Sequence, residues 1–311
     1  VTPRKALAAA ILIGVVWGGV CCGLTTLFET GAADFQHAVG AARDLLAGRD
    51  PYAREPGPYW IPYPLPAGLL AIPLAALPDS VAAGVFMGSS VTLLAWGVLR
   101  RGEAWRLAML FSWPFLYAVL FAQWSPLLCA MWFLPWLAPL VLCKPNIALP
   151  LVLTGRPRWA SAAVGAAVLL ASLALKPDWP WVWLAQTRSY QGMTPPVAML
   201  PLGPLILLSL FSWRERRAWL VLTLAVMPQR VFYDQLPLLL AAETNRELFV
   251  LVAAGWVSFL VLWLSPNLAE MPGGWQLWIV AAHYLPAVFV VARSGIREQL
   301  ALTNRRVTID R

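Results

Sequence analysis

"ALAAAILIGVVWGGVCCGLTTLF", residues 6–28, runs for 23 residues without a charge, and "GAADFQHAVGAARDLLAGRDPY", residues 31–52, follows it almost at once. A bilayer's hydrocarbon core is about 30 Å thick and takes about 20 apolar residues as a helix. The first stretch is therefore read as a membrane span. It is longer than a signal-peptide core and has no small-residue cleavage site behind it. The second stretch carries acids, arginines and a histidine on an amphipathic pattern. A chain that crosses a membrane and then lays a short polar helix at its exit is the organisation to be explained.

The rest of the composition agrees with the first stretch. Of the 311 residues 60% are apolar and only 12% are charged, with a mean hydropathy of +0.67. These values exclude an ordinary soluble domain. The expected fold is all-α: a polytopic transmembrane bundle of about ten spans, at about 20 residues each. It forms a single domain over 1–311, with juxtamembrane helices in a first outer loop over 29–78 and a basic cytoplasmic tail over 293–311. The formal charge of +8 comes from arginines in short loops between apolar runs, which the positive-inside rule explains better than a nucleic-acid partner does. Cys21, Cys22, Cys129 and Cys143 sit in or beside apolar runs and read as buried free thiols, without disulfide or zinc spacing.

Arg4 and Lys5 precede the first span, which places the N-terminus in the cytoplasm and Asp34 outside. The proline-rich run over 61–77 then poses a problem of parity. If it crossed, the next span would deliver Arg100, Arg101 and Arg106 to the outer face. As a straight helix it would be about 26 Å long, and Pro62, Pro64, Pro66 and Pro73 break or kink it. It is read as a helix tucked into the outer leaflet. With that assignment, 16 of the 23 Lys and Arg residues fall inside, and both termini are cytoplasmic.

The helix after Asp34 shows an apolar stripe at Phe35, Val39, Ala42, Leu45 and Leu46, with Gly48 as a C-terminal stop. It is expected to lie along the membrane surface. Asp34 stands at its start, where the helix dipole favours a carboxylate. On spacing alone an N-cap is the favoured role, and a catalytic carboxylate is the alternative. Lys144 interrupts the apolar run "WLAPLVLCKPNIALPLVL", where a central charge costs about 2.5–3.5 kcal/mol on insertion scales. It either snorkels or serves function. Arg230 and Asp234 raise the same question, with a hairpin-tip ion pair as the plain answer. Arg188 lies in an outer loop where solvation is the default. His37 and His283 have no second ligand at metal-binding spacing, so neither a metal site nor a cofactor is expected.

The order of elements resembles the polyprenol-phosphate-dependent glycosyltransferases of the GT-C superfamily, and most of all glycosyltransferase family 87. That family has an Asp just after the first span, then a short helix ending in Gly and followed by Tyr, here Asp34, Gly48 and Tyr52. A Tyr-Pro-Pro opening to a proline-rich juxtamembrane helix corresponds to Tyr63, Pro64 and Pro66. A Gly-Gln-Asn turn appears as Ala122, Gln123 and Trp124, and a Lys-Pro as Lys144 and Pro145. The resemblance covers most of the first 160 residues. It implies an inverting transferase that moves a lipid-phosphate-linked sugar to a glycolipid or glycan hydroxyl on the outer face, with no nucleotide fold. Asp34 would be the general base. His37, Tyr52, Tyr63, Gln123, Lys144, Arg188, Arg230 and Tyr233 would bind substrate, with Lys144 and Arg230 as the main phosphate partners. Two rival readings are a lipid or polyprenyl-phosphate flippase and a non-catalytic subunit of envelope glycan assembly.

Overall fold

In the computed structural model of the chain, residues 2–53, 63–155, 159–188, 194–228, 232–265, 267 and 274–293 are described. Every element among them is helical. The chain groups into two compact units, one made of residues 1–107 and 115–193 and the other of 108–114 and 194–311.

The first unit is organised by two long helices, α1 (Pro3–Leu27) and α4 (Asp79–Arg100). A Cβ added to Gly14 would lie 2.5 Å from the Gly88 carbonyl oxygen, and one on Gly18 would lie 2.7 Å from that of Gly84. One on Gly84 would lie 2.8 Å from the Cβ of Cys22. As the number rises along α1 it falls along α4, so the pair is antiparallel. Small residues four apart on both helices let the backbones touch, the usual way for helices to associate in lipid, where apolar side chains gain nothing by leaving the solvent.

The antiparallel register has a direct consequence. The segment 28–78 leaves and rejoins the pair at the same end, as the charge distribution requires of a loop that does not cross. Within it lie α2 (Gln36–Leu46) and α3 (Leu65–Ala71), with a 3₁₀ turn at Ile72–Leu74. The proline at 66 opens α3 and that at 73 closes its extension. Gly48 stops α2 with φ +67°. Arg43 fastens α2 to the start of α4: it donates to the carbonyls of Ala75 and Leu77, each at 2.9 Å, and pairs with Asp79 at 2.7 Å.

The α2 stripe departs from expectation at its end. Phe35, Val39 and Ala42 are buried, but Leu46 is 64% exposed and Asp44 only 3%. The reason is local. The Gly48 turn brings Arg49 back onto Asp44 at 2.7 Å, which allows an acid to face inward.

The chain continues with α5 (Trp113–Leu120), α6 (Ser125–Phe133) and α7 (Pro145–Thr154). Then come α8 (Trp159–Leu175) and α9 (Trp179–Arg188), which meet at a bend of 90°. Lys176, at the bend, bonds Asp50 at 2.9 Å, and Gln186 of α9 donates to the Tyr52 carbonyl at 3.0 Å. The bend therefore lies at the same end of the unit as the 28–78 loop.

In the second unit, α10 (Arg216–Val226), α11 (Asn245–Leu264) and α12 (Gly274–Ile279, continued through a π-helical turn at Val280–Tyr284) pack with 3₁₀ segments at Gly203–Ser212 and Phe232–Ala241. Buried Arg217 ties the start of α10 to the start of α11 through Glu243 and Glu247, and pairs with Glu215 beside it.

Among the described residues four helices are long and apolar enough to cross a membrane: Pro3–Leu27, Asp79–Arg100, Asn245–Leu264 and Gln276–Arg293. The bent pair α8–α9 makes a fifth if it is one span. This is the make-up of a helical membrane protein. Other apolar runs, such as 104–142, are divided into short helical and 3₁₀ pieces, with prolines at 114, 126, 135 and 139 interrupting them. The four cysteines are free, and Cys21, Cys129 and Cys143 are buried.

The glycine contact is directly testable. Gly18→Val pushes a branched side chain into the backbone of α4 and should cost about 1–3 kcal/mol, as overpacking does. Gly19, beside it, has nothing within 4 Å of an added Cβ, so Gly19→Val should be near neutral. Thermal unfolding of the full chain in detergent compares the two, and equal effects would place the helix contact elsewhere.

Candidate functional site

The site begins with backbone geometry. Ala33 and Ala122 both adopt left-handed conformations with φ +47°, which residues with a Cβ rarely hold. Each immediately precedes a polar residue that the sequence singles out, Asp34 and Gln123. The Asp34 N–H donates to the Phe121 carbonyl at 3.1 Å, which joins the two turns. Behind Asp34, Phe35 stacks flat on Phe86 of α4, with ring centres 4.0 Å apart. Behind Gln123, the fully buried Trp124 meets Phe86 at 5.0 Å. Both polar residues are thus anchored on one aromatic cluster against α4.

Asp34 does not cap a helix. It lies inside a 3₁₀ turn (Ala33–Phe35), α2 starts at Gln36, and neither element has a side-chain cap hydrogen bond. This corrects the role favoured from spacing. Instead the Asp34 carboxylate accepts a hydrogen bond through Oδ2 from the Gln123 amide nitrogen. Gln123 is 0% exposed, and its amide oxygen accepts from Lys144 Nζ at 3.0 Å.

Lys144 is 7% exposed, so its ammonium does not snorkel. It is the first residue flanking α7, with Pro145 behind it at the start of the helix, where a missing N–H costs nothing. A buried ammonium needs a compensating partner. Residues 34, 123 and 144 supply an acid, an amide and a base in one connected row of no net charge.

Two more of the expected residues lie beside this row. Tyr63 stands between His37, 6.3 Å away ring to ring, and Trp124, 5.8 Å away. Both His37 and Tyr63 are partly exposed, as is Asp34. His37 and Tyr63 thus form a partly exposed aromatic rim beside the polar row.

Tyr52 has a different place. Its hydroxyl donates to the Tyr63 carbonyl at 3.0 Å, its N–H donates to Asp50, and its carbonyl accepts from Gln186. Burial, with the nearby Asp50 charge, pushes the phenol above its ordinary range, so it remains a donor. Tyr52 therefore latches Tyr63 and the loop to α9. Arg188 is the exposed last residue of α9. Tyr233 is buried in the second unit. Arg230 lies outside the described residues, so its pairing with Asp234 is not described either. Among the described residues no group of three or more His, Cys, Asp or Glu is placed to hold a metal ion.

Trp124 and the two alanine turns were not singled out in the sequence as structural anchors of the site. The tryptophan looks like one more of 18, and a left-handed alanine carries no mark that distinguishes it from a helical one. The one available signal was the place of Ala122 where the resemblance has glycine, the residue that holds such a φ without strain.

Two outcomes follow. Ala122→Gly removes the left-handed strain and should raise stability by about 1 kcal/mol, while Ala118→Gly, inside α5, should lower it by a similar amount. Thermal unfolding measures both. The Asp50 carboxyl is held below its ordinary value: burial opposes this, but the Tyr52 N–H and the Lys176 ammonium outweigh it. Its contribution to stability is present above the ordinary aspartate pKa of about 4 and is lost as pH falls through the lower folded value. Asp50→Asn should flatten the acid side of the stability–pH curve below about pH 4 and leave its neutral part little altered in slope.

No protein-family model, no curated protein and no solved structure matches this chain.

Proposed function

We propose that the protein is an inverting integral-membrane glycosyltransferase of GT-C type, with about ten crossings and both termini in the cytoplasm. It would move a polyprenyl-phosphate-linked sugar, such as mannose, to a glycolipid or glycan hydroxyl at the outer face of the cell membrane. The observation that carries this reading is the row Asp34–Gln123–Lys144. A carboxylate and an ammonium from distant parts of the chain are joined through one amide near α4, beside a rim of partly exposed aromatic residues.

The chemistry asks for a base on one reacting partner and a cation near the other. The acceptor hydroxyl oxygen attacks the anomeric carbon and a new C–O bond forms. The hydroxyl proton passes to the Asp34 carboxylate as that bond develops. The old bond from the anomeric carbon to the phosphate oxygen breaks, and its electron pair leaves with the polyprenyl phosphate. The charge that grows on the phosphate is met by Lys144, whose ammonium has three donors. A single displacement inverts the anomeric centre. The rim of His37 and Tyr63 offers flat apolar faces for a sugar ring.

Purified full-length protein in detergent, supplied with polyprenyl-phosphate mannose and a membrane glycolipid extract, should release polyprenyl phosphate. Asp34→Asn preserves size and should reduce transfer by about 10²–10⁴-fold, the usual cost of losing a general base. Glu29→Gln, an exposed carboxylate in the same loop, is the control and should retain activity. Asp44 is unsuitable for that purpose, because it is buried against Arg49. Normal transfer by Asp34→Asn would remove the catalytic centre. Release of no polyprenyl phosphate at all would favour a flippase or a non-catalytic subunit. In cells, a cysteine placed at Leu46 should react with an impermeant thiol reagent from outside, and one at Arg100 should not.

A further inference from the structure

Gln123 is the residue whose role the geometry defines most narrowly. An amide can be turned either way, but its neighbour on one side removes the choice. A lysine ammonium has donors and no acceptor, so the group 3.0 Å from Lys144 Nζ must be the amide oxygen. The amide nitrogen then faces Asp34 and can only donate, and Asp34 Oδ2 must accept. Lys144, 21 positions further along, thereby fixes which end of the amide faces the carboxylate. Full burial of Gln123 keeps water from substituting for either bond, and the left-handed Ala122 before it holds the backbone where one side chain spans both partners.

We infer that Gln123 is a positioning residue and not a substrate contact: a bridge of fixed polarity that orients the Asp34 carboxylate and couples it to Lys144. This rests on the transferase reading for its catalytic consequence, while the bridge itself is a property of the fold. Lys144 from the start of α7 bonds the amide oxygen, and Tyr117 from α5 lies near enough to the Asp34 carboxylate to feel its charge.

Reversing the polarity tests it. Gln123→Glu still accepts from Lys144 but presents a carboxylate to a carboxylate, and it should lower the Tm of the full chain in detergent by about 3–6 °C. Adding Asp34→Asn gives the new acid an amide donor, so the row runs again with its second bond reversed. The double variant should regain most of that loss in Tm although it lacks the base. A double variant no more stable than Gln123→Glu alone would overturn the bridge. The kinetic arm is Gln123→Leu, which should lower kcat about 10²-fold, as misplacement of a reacting group does, and leave the KM for polyprenyl-phosphate mannose unchanged. A raised KM with kcat preserved would make Gln123 a substrate contact after all. If wild-type protein transfers nothing, the transferase reading falls and the Tm comparison still decides the bridge.

Discussion

The contact between α1 and α4 sets the terms for the rest of the first unit. Four glycines bring two helix backbones together where any side chain would collide. The antiparallel register that results decides that the 50-odd residues between them begin and end at one face. With that fixed, the loop has two tasks, and the residues divide accordingly. Arg43, Asp44, Arg49, Asp50 and Tyr52 hold it down. Asp34, His37 and Tyr63 are left at its open side. The positional logic matches what membranes require: irregular backbone is tolerable when protein shields it, and here α2, α3 and the α8–α9 bend shield one another.

A polar row in this setting is stable only as a whole. Asp34, Gln123 and Lys144 come from three segments, and each segment would carry an uncompensated polar group if the others were moved away. The aromatic cluster of Phe35, Phe86 and Trp124 supplies the apolar adhesion that keeps them in register. The division is a common one: packing energy from residues that do no chemistry holds residues that would not associate unaided.

Much of this was legible in the sequence. Lys144 stood out because a charge in an apolar run has to be explained, and Asp34 because it followed a span directly. Gln123 came only through the order of motifs in the family the chain resembles. Spacing favours an N-cap at Asp34 because a 3₁₀ turn and the first turn of an α-helix share their residue preferences, and the helix starts two residues later than the polar pattern suggests. The inward turn of Asp44 is not legible, because its partner, Arg49, arrives through a glycine turn and not at helical spacing. The interruption of the apolar runs at Trp113–Pro114 and around 135–145 was visible as proline, but the resulting 3₁₀ geometry was not. Prolines say where a helix breaks, not which helix follows.

The burial of Lys144 also bears on how the protein is made. The ammonium belongs to a segment synthesised after the loop that holds Asp34, and the amide oxygen that accepts from it lies 21 positions before it, on Gln123. The row is therefore complete only where the stretch that carries Gln123 and Lys144 meets the turn after α1. A chain in which the turn after α1 is displaced would leave the buried Gln123 amide without the carboxylate that accepts from it.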